Sequence, residues 1–188
     1  MVIEAAINVS INTDFLFNTR EVTISFLEEV GGLLGKYLVK KHPEMIQKII
    51  DAGFKIAAES EEEYGDDEDS THDLALIMLE VYACEVPDTI IYPIFKQNIS
   101  MCVGHSDPLV KKAGIRVLGD ISDGDALLDC IKEDVDVWTD ILVQALQDKS
   151  SIVQDAASFS VGDFSENVIP DFLDNHDKVM PALLTVIQ

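Results

Sequence analysis

An acid and a hydroxyl occur together twice in this chain, in the same order and at the same spacing. The first copy reads Gly-Asp-Ile-Ser at residues 119–122, and the second reads Gly-Asp-Phe-Ser at residues 162–165, 43 positions later. Carboxylates pair with ammonium and guanidinium groups, and serine hydroxyls hydrogen-bond to backbone amides. If the two stretches lie side by side, the pattern suits recognition of an extended basic peptide.

The stretches around these copies, residues 106–124 and 149–167, each read as one amphipathic helix. In the second, a single stripe at helical spacing contains Ile152, Val153, Ala156, Ala157, Ser160, Val161 and Phe164. Small residues at Ala156 and Gly162 are expected to let a neighbouring helix approach closely. The period lies within the ~40–47 residues of HEAT and armadillo repeats, whose units bury their apolar stripes against one another. The sequence therefore predicts an all-α fold, a right-handed α-solenoid of HEAT repeats with about four antiparallel helix pairs and an unpaired helix.

The predicted organisation is a single solenoid fragment over residues 1–188, because neither end carries the polar cap of a complete solenoid. Its approximate repeats are 1–39, 43–86, 87–124, 132–167 and a partial repeat 177–188. An early helix is expected to begin at Arg20, capped by Asn18 or Thr19, and to be weakened in its last turn by Gly31, Gly32 and Gly35. Its predicted inward residues are Val22, Phe26, Leu27 and Val30. Residues 70–73 resemble a capping box for a later helix.

In a right-handed helical solenoid the second helix of each pair lines the concave surface. Acids and small polar residues near the ends of these helices are the candidate contacts for a basic partner: Glu80, Asp120, Ser122, Asp123, Asp163, Ser165, Glu166 and Asn167. A carboxylate and a hydroxyl would then recur at the same height on successive helices. The alternative is that these residues only terminate helices, where Ser, Asp and Asn are common.

A second acidic feature is a continuous run between two predicted helices. It contains Glu61, Glu62, Glu63, Tyr64, Asp66, Asp67, Glu68 and Asp69. One interpretation is a solvated loop. The other is a tether for Lys/Arg-rich segments, in which Tyr64 adds a cation–π contact.

The amino-acid composition further limits the classes of partner that this chain could bind. The chain has 35 acidic and 13 basic residues, a formal net charge of −22, which disfavours nucleic acid and anionic membranes and favours basic partners. The charge is equally compatible with a role in solubility alone. No apolar run approaches membrane-spanning length. The cysteines Cys84, Cys102 and Cys130 read as buried, reduced thiols of a cytosolic or nuclear protein.

No residue pattern indicates an enzyme, a cofactor or a metal. The four histidines, His42, His72, His105 and His176, are expected at exposed helix ends or loops of different repeats, away from any nucleophile motif. The glycines after the early helix do not form a phosphate loop, and the acidic run lacks the alternating ligand spacing of an EF-hand.

Several longer segments carry family information: EEEYGDDED before LALIMLEVYACEVP, then DPLVKKAGIRVLGDISDG, and IVQDAASFSVGDFSENV followed by VMPALLTVIQ. These segments resemble the importin-beta (karyopherin) family and, within it, the importin-4 type of import receptor. The resemblance covers nearly the whole chain, more weakly over residues 2–60, and the string at residues 159–167 is its most specific part.

The resemblance implies a nuclear import receptor that shuttles between cytoplasm and nucleus with basic cargo, typically histones and ribosomal proteins. It implies weak contacts to Phe-Gly nucleoporins between outer helices such as those containing Ile94 and Trp138. It also implies cargo release by RanGTP, mostly through repeats absent from this chain. The alternative is a static HEAT-repeat scaffold, similar to a phosphatase regulatory subunit, that holds folded partners by its inter-repeat loops.

Overall fold

The computed structural model describes residues 2–60 and 70–186, and every regular element in those ranges is helical. The α-helices are α1 (Val2–Ser10), α2 (Phe17–Lys41), α3 (Pro43–Ala57), α4 (Thr71–Glu85), α5 (Asp88–Val103), α6 (Pro108–Asp123), α7 (Leu128–Glu133), α8 (Val135–Leu146), α9 (Ser151–Asn167) and α10 (His176–Val186), with a 3₁₀ turn at Leu173–Asn175. The predicted all-α class is confirmed. Among the described helices, none combines the length and the apolar character that crossing a bilayer requires.

The helices form two compact units, Met1–Asn98 and Ile99–Gln188. In the first unit, α2 packs against α1, α3 and α4. In the second, α6 packs against α9, and α8 packs against α9 and α10. The boundaries predicted for the individual repeats stay a prediction.

Helix α2 is longer than the sequence pattern predicts. It begins at Phe17 rather than Arg20, and its N-cap, Leu16, makes no side-chain hydrogen bond, so the predicted capping by Asn18 or Thr19 is wrong. It also runs through its glycines to Lys41. A β-carbon at Gly31 would lie 2.6 Å from the Tyr82 ring, and the Tyr82 hydroxyl donates to the Leu27 carbonyl at 3.0 Å. The glycine therefore admits a buried aromatic ring from α4, and this tertiary contact outweighs its low helix propensity.

The buried face of α2 also differs from the prediction. Leu27 and Val30 are buried as expected, but Val22 is 67% exposed and Phe26 is also exposed. The core face instead follows a row at three- and four-residue spacing, which contains Arg20, Ile24, Leu27, Gly31, Gly35 and Leu38. Because Val22 and Phe26 lie off this row, they point away from α4.

Helix α4 begins as the sequence predicts. The Ser70 hydroxyl accepts from the Asp73 amide, and the Asp73 carboxylate accepts from the Ser70 amide, which completes a capping box.

Two predictions about the burial of side chains on α4 are wrong. His72 is buried rather than exposed, with Nδ1 2.6 Å from the Ala57 carbonyl oxygen. Cys84 is exposed rather than buried, whereas Cys102 is buried, and burial raises the pKa of the Cys102 thiol to about 11.

A buried arginine holds the helix ends of the first unit together. Arg20 is only 4% exposed; its Nε donates to the Ser10 carbonyl at 2.9 Å, and Nη2 donates to Glu59 Oε1 at 2.6 Å. The other oxygen of Glu59 accepts from the Thr71 hydroxyl at 3.0 Å. This Arg20–Glu59–Thr71 clamp connects the end of α1 and the starts of α2 and α4 with the segment that follows α3.

In the second unit, the two helices that carry the repeated motif pack directly against each other. The buried Ser160 hydroxyl of α9 donates to the Ile115 carbonyl of α6 at 2.8 Å. Six members of the predicted α9 stripe are buried, from Val153 to Phe164. The seventh, Ile152, is exposed because it lies in the first turn at the edge of the stripe.

The two repeat-related glycines have different surroundings. A β-carbon at Gly119 would lie 2.6 Å from both Ser160 Oγ and Asp163 Oδ2, so the close approach of α6 to α9 depends on this glycine. At Gly162 no atom lies within 4 Å of such a carbon. The predicted role of Gly162 in close helix packing is therefore wrong, and Gly119 has that role instead.

These surroundings predict opposite effects of the same substitution. Gly119→Ala should lower the free energy of unfolding by about 1–3 kcal/mol, because Ser160 and Asp163 must move. Gly162→Ala should raise it by about 0.5–1 kcal/mol, because alanine favours the helix and meets no neighbour. Urea unfolding of the two variants checks both signs. Equal effects of the two substitutions would contradict the packing at Gly119.

Candidate functional site

The repeated motif brings its two aspartates onto neighbouring helices. Asp120 lies near the end of α6 and Asp163 near the end of α9, and Asp163 Oδ2 contacts the position at which Gly119 lacks a side chain. The side chains of both aspartates are partly buried. The helix pairing that the 43-residue spacing predicts therefore places the Asp163 carboxylate against Gly119, the residue before Asp120.

Two exposed acids extend this cluster. Asp123 is in the last turn of α6, where its Oδ1 accepts from Asn167 Nδ2 at 3.1 Å, and Glu166 lies one turn after Asp163 on α9. We call Asp120, Asp123, Asp163 and Glu166 the acidic face. These four residues are the predicted carboxylate contacts that lie in the second unit.

The electrostatics of Asp163 show that Asp123 and Glu166 lie near it. Burial raises the pKa of the Asp163 carboxyl, and the negative charges of Asp123 and Glu166 raise it further, while the Arg116 guanidinium opposes both. A carboxylate with desolvated surroundings and like charges nearby is stabilised by an added cation. The acidic face is therefore suited to ammonium or guanidinium groups.

The two serines of the motif do not present their hydroxyl protons to a partner. Ser122 is 1% exposed and its hydroxyl donates to the Gly119 carbonyl at 2.7 Å. Its predicted contact with cargo is wrong, because the side chain is buried and its hydroxyl is bonded within α6. Ser165 is exposed, but its hydroxyl donates to the Val161 carbonyl at 2.6 Å. Only its oxygen remains as an acceptor for a partner.

Two residues of this surface do not appear in the sequence prediction. Arg116 Nη2 lies 3.4 Å from Asp120 Oδ1, and its guanidinium carbon lies 5.1 Å from the centroid of the Phe159 ring. Phe159 is 66% exposed. Two signals could have found them: Arg116 is four residues before Asp120 on the same helix, and Phe159 is 43 positions after Arg116.

Glu80, the remaining predicted contact, lies in the first unit. It is exposed on α4 and lines an open groove between α2 and α4 together with Glu28, Glu29, Gly32, Val81, Cys84 and Glu85. Desolvation and the neighbouring charges of Glu80 and Glu85 raise the pKa of the Cys84 thiol. The groove thus carries several carboxylates around a small apolar floor.

The continuous acidic run predicted as a loop or tether lies outside the described residues. That prediction concerns Glu61, Glu62, Glu63, Tyr64, Asp66, Asp67, Glu68 and Asp69. Within residues 2–60 and 70–186, no cluster of three or more His, Cys, Asp or Glu side chains is arranged to hold a metal ion.

Comparison with known proteins gives relatives in sequence and in fold. No protein-family model matches the chain. Mouse importin-4 is 31% identical and human importin-4 is 30% identical over 115 residues, which are 61% of this chain and 10% of each relative. The chain therefore spans about a tenth of the length of the curated relatives it matches.

Solved structures of Kap121p share the fold at 18% sequence identity. Kap121p alone matches with a TM-score of 0.86 over 100% of this chain and 19% of its own. The complexes with RanGTP and with Pho4p match with TM-scores of 0.85 and 0.84, each over 98% of this chain and 19% of their own. The helices thus have the fold of a karyopherin HEAT-repeat solenoid. The sequence similarity and the fold agree, and together they are consistent with this chain being a segment of an importin-beta (karyopherin) family member.

Proposed function

We propose that this chain is a cargo-binding segment of a nuclear import receptor and that it binds Lys/Arg-rich segments of its cargo on the acidic face. The observation that carries the proposal is the packing of α6 on α9, which brings Asp123 and Glu166 close enough to Asp163 for their charges to raise the pKa of its carboxyl. Histones and ribosomal proteins are the proposed cargo, because their basic segments complement this charge. We further propose that Asn167, which donates to Asp123 at the edge of the face, hydrogen-bonds a peptide backbone.

The comparisons support the transport part of the proposal. The relatives are named importin-4, and Kap121p has been solved bound to Pho4p, RanGTP and Nup53p. For the whole receptor we accordingly propose RanGTP and nucleoporins as partners and shuttling between cytoplasm and nucleus. The groove around Glu80 is a second proposed contact for basic cargo in the first unit. We propose no catalytic activity.

The size of single contacts shapes the expected binding behaviour. An ion pair between exposed side chains contributes only ~0.2–1 kcal/mol, so the affinity must come from several pairs and be screened by salt. A static scaffold holds folded partners through its loops, so it would not bind a short basic peptide with this salt dependence.

A peptide titration tests the proposal. The full chain is titrated with a fluorescent histone-tail peptide at about 0.1 M and about 1 M salt, where the screening length falls from about 10 Å to about 3 Å. We expect affinity to fall tenfold or more, by about 1.4 kcal/mol or more. A peptide of the same sequence with glutamine at each lysine and arginine is the control. Salt-insensitive binding, or no binding, would instead favour the scaffold.

A further inference from the structure

We propose that Arg116 is an internal competitor for the cation that the acidic face binds, so that it sets the affinity and the residue preference of the site. This inference rests on the function proposed above. Its starting point is that a guanidinium group already lies beside Asp120 and over the ring of Phe159. The structure therefore shows that a cation can lie between the Asp120 carboxylate and the Phe159 ring.

The contacts of Arg116 are those that recognise a basic side chain. Aromatic rings attract cations within about 6 Å of their centroid, and the guanidinium carbon lies 5.1 Å from that of Phe159. Planar guanidinium groups also stack on rings, which an ammonium group cannot do. The subsite should therefore prefer arginine to lysine in a partner peptide.

Arg116 is held loosely. Its 3.4 Å distance to Asp120 exceeds the ~2.7–2.9 Å of strong charge-assisted hydrogen bonds. Lys111–Asp148 and Arg20–Glu59, by contrast, are both 2.6 Å long. Both members of the Arg116–Asp120 pair are also partly exposed to solvent. A partner arginine can therefore displace Arg116 without opening the core.

The Phe159 ring would then contact two cations, Arg116 in the free chain and a partner side chain in the complex. In the absence of cargo the ring stacks under Arg116, and in the complex it stacks under the partner's side chain. The ring is exposed enough to do so, because two thirds of its surface is open to solvent. Removing Phe159 should thus weaken both the competitor and the ligand, and these effects should largely cancel while Arg116 is present.

The test is a double-mutant cycle on binding of an arginine-rich histone-tail peptide to the full chain at low salt. Arg116→Gln should tighten binding by about three- to thirtyfold, the factor expected for losing one competing ion pair and one cation–π contact. Phe159→Ala should change affinity little alone but weaken it severalfold in the Arg116→Gln background. Lys149→Gln is the matched control, because it removes one positive charge before α9 and should tighten binding less.

The outcomes separate this inference from the function on which it rests. If the wild-type chain shows no salt-sensitive binding, both are overturned. If it binds as expected but Arg116→Gln binds equally or more weakly, only the competitor role is overturned. If Phe159→Ala has the same effect in both backgrounds, Arg116 acts through its charge alone, and the competitor role is again overturned. Circular dichroism verifies that the variants are folded.

Discussion

Arg20→Met is expected to lower the free energy of unfolding by about 3–5 kcal/mol, the cost of breaking a buried ion pair on one side. The guanidinium is almost fully enclosed and satisfies the Ser10 carbonyl and the Glu59 carboxylate at once. Methionine fills much of the space but leaves both acceptors without this donor. For a chain of this length the loss corresponds to a fall in Tm of roughly 6–20 °C.

Thermal and urea unfolding measure this loss, and two further variants control for it. Lys48→Met removes the exposed Lys48–Glu4 pair of the same unit, whose 2.9 Å contact is open to solvent, and should leave the transition near wild type. The double variant Arg20→Met with Glu59→Gln should recover part of the stability, because the partly buried Glu59 carboxylate no longer lacks its cation. If Arg20→Met is no more harmful than Lys48→Met, the clamp does not stabilise the first unit.

The repeat spacing alone predicts which helices meet in the second unit. Two similar helices one period apart are expected to stack, and α6 does pack on α9, with Asp163 against Gly119. The capping box at Ser70 can also be predicted from the sequence, because its two hydrogen bonds form within four consecutive residues. The helix pairing follows from the repeat period, and the capping box follows from residues adjacent in the sequence, so both can be predicted from the sequence.

Features that depend on residues distant in the sequence cannot be predicted in this way. Gly31 of α2 resembles a helix breaker in the sequence, but Tyr82, about fifty residues later, occupies the space that this glycine leaves. Gly119 and Gly162 occupy the same place in the repeat, yet only Gly119 has a helix against it. Likewise, Ser122 is buried and Ser165 is exposed, although both follow the motif's aspartate at the same distance.

Replacing Asp123 and Glu166 together by lysine is expected to weaken binding of a histone-tail peptide about tenfold or more. Each reversal removes an attraction of ~0.2–1 kcal/mol and adds a repulsion of similar size, and about 1.4 kcal/mol is a factor of ten. Both side chains are exposed, so stability should change by no more than about 0.5 kcal/mol per substitution. Reversal of Asp163 would be a poorer test, because its carboxylate packs against Gly119.

The matched control is Glu133→Lys with Asp177→Lys, two exposed acids on α7 and α10. It changes the net charge by the same amount but leaves the acidic face intact, so it separates local contacts from the field of the whole chain. We expect the control to bind nearly as wild type at about 0.1 M salt, where fields beyond about 10 Å are screened. If both double variants lose affinity equally, the peptide responds only to total charge, and the acidic face of α6 and α9 is not its binding site.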